Sequence, residues 1–142
     1  MQKNKIKICL FSGGTGNKGF IQLLKNIPDI ELNIIVNGYD DGKSTKELRK
    51  FGNNILGPSD FRKNLSNLIN LDTKSGNIMS KIMNFRFPKK TSKANFISFL
   101  KLDKKNNFIK NLEIYDLPYE TLINFKDYLS YFLKYYKKKN KL

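Results

Sequence analysis

Apolar positions along the chain change their spacing in an ordered way. Residues 5–11, KIKICLF, alternate and then run continuously apolar, the pattern of a strand buried in a parallel sheet. SGGTGNKG follows. FIQLLKNI then sets Phe20, Leu23, Leu24 and Ile27 at i, i+3, i+4 and i+7, which predicts a helix with one apolar face, stopped by Pro28-Asp29. Residues 31–36, ELNIIV, predict a second strand. Strand, glycine turn, helix and strand make a βαβ unit, so the two strands are expected to pair in parallel through a right-handed crossover.

Beyond residue 40 the spacing is mostly helical. Ser44 and Glu47 form an S-x-x-E capping box that opens a short helix reaching about Phe51, and residues 52–57 read as a loop. Ser59 or Asp60 is expected to cap the next helix, with Phe61, Leu65 and Leu68 turned inward and Asp60, Asn64 and Asn67 on the opposite, polar face. Residues 72–77 read as a loop and IMSKIMNF as a short helix. From Pro88 to Asn107 lysine and asparagine dominate without a clear period. YETLINFKDYLSYFLKYY places Leu122, Phe125, Leu129, Phe132 and Leu133 at helical spacing and predicts a C-terminal helix. The organisation expected is a glycine-loop and acidic-motif portion, 1–87, followed by a Lys/Asn-rich segment and C-terminal helix, 88–142, of the same domain.

Composition narrows the function classes. The 142 residues are 39% hydrophobic, enough for one modest domain with a core. No run of about 18 apolar residues occurs, so no membrane span is predicted, and the short apolar run near the N-terminus does not fit a signal peptide. The single cysteine, Cys9, is expected to be a small buried hydrophobe inside the first strand. The absence of any disulfide within the chain suits a cytoplasmic protein.

The net charge of +15 invites a nucleic-acid reading. Its distribution argues against one: residues 1–70 carry 11 Lys and Arg against 6 acids, and residues 71–142 carry 16 against 6. Only three of the 27 basic residues are arginine, the side chain suited to bidentate phosphate contacts. A basic interaction module in the back half is the alternative that remains, marked by steep salt dependence of any polyanion binding. The chain has no histidine, so acid–base chemistry falls to carboxylates, lysine, tyrosine or a metal-bound water.

Three segments carry candidate chemistry. Gly14-Thr15-Gly16-Asn17-Lys18-Gly19 fits G-x-G-x-x-G between a strand and a helix, where glycines admit a phosphate close to the backbone and the helix start offers free N–H donors; a merely tight turn is the alternative. Gly38 to Thr45 imitates a Walker A loop, but only three residues separate Gly38 from Gly42 and two are acids, so that reading fails. Asp40 and Asp41 instead follow the second strand, where open α/β sheets bind ligands, and adjacent carboxylates there could hold a divalent cation. The bland reading is a solvated acidic turn. A nicotinamide site needs its acid at the end of that strand, and Asp40 comes about four residues late. The third segment, Gly57-Pro58-Ser59-Asp60 with Arg62 and Asn64, could line a site or simply be a capped, solvated helix face.

Taken together, Ser12-Gly13-Gly14-Thr15-Gly16, Asp40-Asp41-Gly42-Lys43-Ser44 and Pro58-Ser59-Asp60-Phe61-Arg62-Lys63-Asn64 resemble, in order, the motifs of the 2-phospho-L-lactate transferase (CofD-like) family, including its gluconeogenesis-factor branch. The resemblance covers about residues 6–70 and is closer to the branch with D-D-G-x-S. It implies an α/β, Rossmann-like three-layer fold with a parallel sheet that binds a nucleotide diphosphate or nucleotide sugar. In the transferase branch a phospholactyl group passes from a guanosine diphosphate carrier to a deazaflavin alcohol, with Mg²⁺ held by acids. In the gluconeogenesis-factor branch a UDP-sugar is bound and the role is regulatory.

By that likeness Gly13, Gly14, Thr15, Gly16, Asn17, Ser44, Arg62 and Asn64 would contact nucleotide or phosphate. Asp40, Asp41 and Asp60 would serve catalysis, with Mg²⁺ on Asp40 and Asp41. The family's S-x-G-N segment is not found in residues 71–142; Ser75-Gly76-Asn77 comes nearest and falls in a predicted loop. The fold is therefore expected to be truncated, with hydrophobic surface left for a homodimer or a complementing chain.

Overall fold

A computed structural model describes residues 5–39, 42, 45–46, 49–50 and 57–139. The chain divides into two compact units, Met1–Asn70 and Leu71–Leu142. In the first, strand β1 (Ile6–Ser12) leads through the glycine turn to helix α1 (Lys18–Leu24) and on to strand β2 (Ile30–Val36). The strands are parallel, with Ile6 opposite Ile30 and Ser12 opposite Val36. This is the parallel βαβ arrangement that the hydrophobic pattern implies, and it agrees with the α/β, Rossmann-like fold that the family resemblance implies.

The strands are not buried on both sides. Ile8, Leu10 and Ser12 of β1 and Leu32, Ile34 and Val36 of β2 share the covered face, whereas Cys9, Phe11 and Ile35 look outward. Phe11 is 75% exposed. Cys9 is likewise exposed, not the buried hydrophobe expected, because the period of two sends it to the uncovered face. A continuous apolar run could not by itself say which face would be covered.

Helix α1 also departs from its stripe. Ile21 is fully buried, while Phe20 and Leu23 stand largely in solvent. The partly buried positions that accompany Ile21 are Leu24 and Lys25. Lys25 turns inward because its ammonium donates to the carbonyls of Ile69 at 2.7 Å and Asn67 at 3.0 Å, at the end of helix α2 (Pro58–Leu68). A cation there meets carbonyls that lack intrahelical partners and the negative end of the helix dipole.

Helix α2 starts with Gly57 as N-cap and Pro58 in the first turn, ahead of the expected Ser59 or Asp60, since proline has no N–H to leave unsatisfied there. It packs on α1 and β2 with the face opposite to the one predicted. Phe61 is 57% exposed and Leu65 and Leu68 also face solvent, while Asn64 is 2% exposed. Thr45, Lys46, Arg49 and Lys50 are helical, and the predicted capping pair Ser44 and Glu47 lies outside the described residues.

The described secondary-structure elements of the second unit are all helical: α3 (Lys74–Asn84), α4 (Lys93–Leu100), α5 (Asn107–Asn111), a 3₁₀ turn (Ile114–Asp116) and α6 (Tyr119–Lys139). Ser75-Gly76-Asn77, expected in a loop, forms the first turn of α3, because the Thr73 hydroxyl accepts from the Gly76 N–H and starts the helix earlier. Two helices also form where no period was visible. Ser92 caps α4, and Asn106 caps α5 by accepting from Phe108 and Ile109 while its amide donates to Asn95.

Their side chains join one core of Ile78, Phe99, Leu100, Leu102, Ile109, Leu112, Ile114 and Leu117. Phe85, Phe96, Phe99 and Phe108 pack around Phe87, with their ring centroids 4.9–5.5 Å from its own. Leu122, Phe125, Leu129 and Leu133 of α6 cover this cluster, as their spacing predicts. No described helix is long and apolar enough to cross a membrane.

Lys74 pairs with Asp116 at 2.8 Å, and the hydrogen bond and charge of that carboxylate raise the lysine pKa. Any stability from this shift is complete below the ordinary lysine value of about 10.4 and disappears as pH rises through the raised folded value. Solvent screening keeps such an exposed pair weak. Core packing must therefore dominate this unit. Replacing the fully buried Ile114 by Ala should lower the free energy of unfolding by about 2–5 kcal/mol, measured by urea titration. A loss below about 1 kcal/mol would show that Ile114 is not a keystone of the core.

Candidate functional site

The site begins where β1 ends. Ser12 is buried at the carboxyl end of the strand, and its hydroxyl donates to Asn64 Oδ1 at 2.7 Å. The Asn64 amide nitrogen donates to the Gly13 carbonyl at 2.8 Å and to the Asp60 carbonyl at 2.9 Å. Burying a primary amide is costly unless its donors and acceptor are used, and here both protons and the oxygen are. One side chain of α2 thus fastens the first residue of the glycine turn to the helix.

Asp60 and Lys63 lie one turn and one residue before Asn64 and face the same turn. A Cβ built on Gly14 would sit 2.7 Å from Asp60 Oδ1 and 2.7 Å from Lys63 Nζ. No described glycine has positive φ, so Gly14 does not serve a left-handed backbone; the atoms its Cβ would meet are the side-chain ends of Asp60 and Lys63, which lie close over the turn. Gly16 and Gly19 have open space where a side chain would go. The turn is therefore pinned on its Gly13–Gly14 side and open beyond.

A pocket of about 530 Å³ opens at the carboxyl ends of both strands, lined by Phe11, Ser12, Gly13, Ile35, Val36, Asn37 and Gly38. This size suits a small-molecule site, and the position is where open parallel sheets bind ligands. Its rim is tied to α2 as well. The Gly38 carbonyl accepts from the Gly57 N–H at 2.9 Å, and the buried Thr45 hydroxyl donates to Ser59 Oγ at 2.9 Å. Asn37 Oδ1 accepts from the Tyr39 N–H at 2.9 Å, and the Arg49 guanidinium stands 4.8 Å from the Tyr39 ring centroid.

Of the residues singled out from sequence, Gly13, Gly14, Asp60 and Asn64 come together. Thr15 shapes the turn through its carbonyl, which accepts from the Lys18 N–H at 3.3 Å. Asn17 precedes α1 without capping it by side chain and donates instead to the Phe11 carbonyl at 2.8 Å, bracing the turn from behind. Arg62 is half-buried on α2. Asp40, Asp41 and Ser44 lie outside the described residues, though the chain that bears them leaves Gly38 and arrives at Thr45, both fastened to the start of α2. Among the described residues no group of three metal-ligating side chains occurs. Ser12 and Lys63 escaped the sequence reading as site residues. The i, i+3, i+4 spacing of residues 60, 63 and 64 was the available signal.

Residues 8–124 match the protein family described as 2-phospho-L-lactate transferase CofD, a match that continues well past the three motifs. A Thermotoga maritima protein that bears the name of a gluconeogenesis factor is 32% identical over 95 residues. That stretch is 67% of this chain and 29% of the relative, so the chain spans under a third of its length. No solved structure matches the chain.

Asn64→Ala should take the acceptor from the buried Ser12 hydroxyl and a donor from the Gly13 carbonyl, and cost about 1–3 kcal/mol of stability. Amide hydrogen exchange should locate the loosening at residues 12–16. Unchanged stability and exchange would mean that the turn holds its shape without α2.

Proposed function

Because the chain belongs to the 2-phospho-L-lactate transferase CofD family, we propose that the pocket at the ends of β1 and β2 binds the diphosphate of a nucleotide or nucleotide sugar. The observation that carries this reading is the polar face of α2 turned inward onto the glycine turn, with Asn64 holding Gly13 at the pocket wall. A helix with solvent-facing leucines and a buried amide forgoes packing energy that an ordinary structural helix would use. The compensation is a fixed polar surface beside an open turn.

Mg²⁺ belongs to the same reading. Hard divalent cations take oxygen ligands, and Asp40 and Asp41, two to three residues beyond the pocket-lining Gly38, supply carboxylates of the right type. The ion would neutralise phosphate charge. Without any histidine in the chain, transfer of a substituted phosphate group would rest on positioning and charge compensation by Asp40, Asp41 and Asp60. A second reading, regulatory binding of a UDP-sugar without turnover, has its own support in the likeness to the protein named as a gluconeogenesis factor. The two readings share the pocket and separate only on product formation.

Thermal melts with GDP, GTP, a UDP-sugar and NAD, each with and without Mg²⁺, test the common part. A ligand at 100 times its dissociation constant should add about 2.7 kcal/mol of stability. The expected result is a Mg²⁺-enhanced shift with one diphosphate and none with NAD. The Mg²⁺ enhancement should disappear in Asp40→Asn. A cooperative melt that no nucleotide moves would refute the reading.

A further inference from the structure

Resting on the diphosphate reading of this pocket, we propose that Lys63 is the positive charge that receives the ligand's phosphate at the glycine turn. Its ammonium already lies against the loop: Nζ sits 2.7 Å and Cδ 3.4 Å from where a Gly14 side chain would begin. An anion bound along the Gly14 backbone would be within its reach.

Among the described residues the ammonium has only one ion-pair partner, Asp60. Its contact with Asp60 Oδ1 is 3.5 Å long, at the outer limit of a hydrogen bond, while a lysine has three protons to donate. An i, i+3 pair of this kind contributes little to helix stability. The lysine side chain is 38% exposed and the carboxylate 13%, so the cation is the more accessible partner. Half-burial of its stem on α2 keeps the head near the turn.

Asp60 makes the lysine necessary. Its carboxylate also faces Gly14, with Oδ1 2.7 Å from the Cβ position there, and it lies 3.9 Å from the corresponding position at Gly13. Unbalanced, that charge would repel a phosphate from the glycine turn. With Lys63 beside it, the pair is neutral in the free protein. When a phosphate arrives, the ammonium turns to it and Asp60 faces any cation that accompanies the ligand. Recognition of the anion therefore has a component that does not depend on Mg²⁺.

The test is calorimetric titration of the full chain without Mg²⁺, using GDP and UDP, with guanosine and uridine as uncharged counterparts. Removing a hydrogen bond to a charged group in Lys63→Ala should weaken the diphosphate by about 10- to 100-fold and leave the nucleoside unchanged. Lys63→Arg should retain binding within about threefold, since the charge and reach persist. Asp60→Asn/Lys63→Ala should recover part of the loss, because the repelling carboxylate is gone as well. Melting temperatures of Lys63→Ala and the parent should coincide, which a merely structural lysine would not allow. If the parent binds a diphosphate and Lys63→Ala binds it equally well, or loses nucleoside to the same extent, Lys63 has no such role and the pocket reading stands. If the parent binds neither GDP nor UDP with or without Mg²⁺, both fail together.

Discussion

Everything distinctive in the first unit depends on one buried side-chain amide. Asn64 accepts from Ser12 and donates to the carbonyls of Gly13 and Asp60, so a strand end, a turn and a helix are joined by three hydrogen bonds on one side chain. Such a group tolerates no alternative placement, because each unsatisfied atom in a buried position costs about 1–3 kcal/mol. The orientation of α2 follows. With Asn64 inward, Asp60 and Lys63 must face the glycine turn, and Phe61, Leu65 and Leu68 must face out.

That orientation reverses the usual logic of an amphipathic helix, and the rest of the unit accommodates it. Lys25, just past the end of α1, satisfies the carbonyls at the far end of α2, while Gly57 and Ser59 at its start are bonded to Gly38 and Thr45. Both ends of the helix are held by polar contacts, so it does not rely on an apolar stripe. The strand ends between them are left free to form a pocket, and the segment with Asp40 and Asp41 is anchored at Gly38 and Thr45.

The second unit is organised by an ordinary hydrophobic core, and its polar contacts serve mainly to start helices. Thr73, Ser92 and Asn106 each cap a helix, and Asn106 also reaches back to Asn95 to join α5 to α4. Helices as short as α5 are not stable alone. They persist because Ile109 and Leu112 enter the same cluster as Phe99 and Leu100. The two left-handed residues, Leu102 at φ 52° and Glu113 at φ 55°, are tolerated at the bends between these short helices. Leu102 is buried and its carbonyl accepts from the Tyr115 hydroxyl, which holds the bend in place.

Local spacing in the sequence was enough to determine β1, the glycine turn, β2 and their parallel pairing, because a βαβ unit is encoded by neighbouring residues and a steric handedness rule. It also determined α6, whose 21 residues repeat one apolar stripe, and the family, through three motifs in order. It misplaced the inward faces of α1 and α2 and the exposure of Cys9, and it showed no period where the helix at Lys93–Leu100 forms. Each of those was settled by partners distant in the chain. Ile21 rather than Phe20 turns in because Lys25 must reach Ile69. Asn64 rather than Leu65 turns in because Ser12, 52 residues earlier, requires its oxygen. A periodic pattern records which face of a helix is apolar; only the folded chain decides whether that face or a hydrogen-bonding one secures the lower free energy.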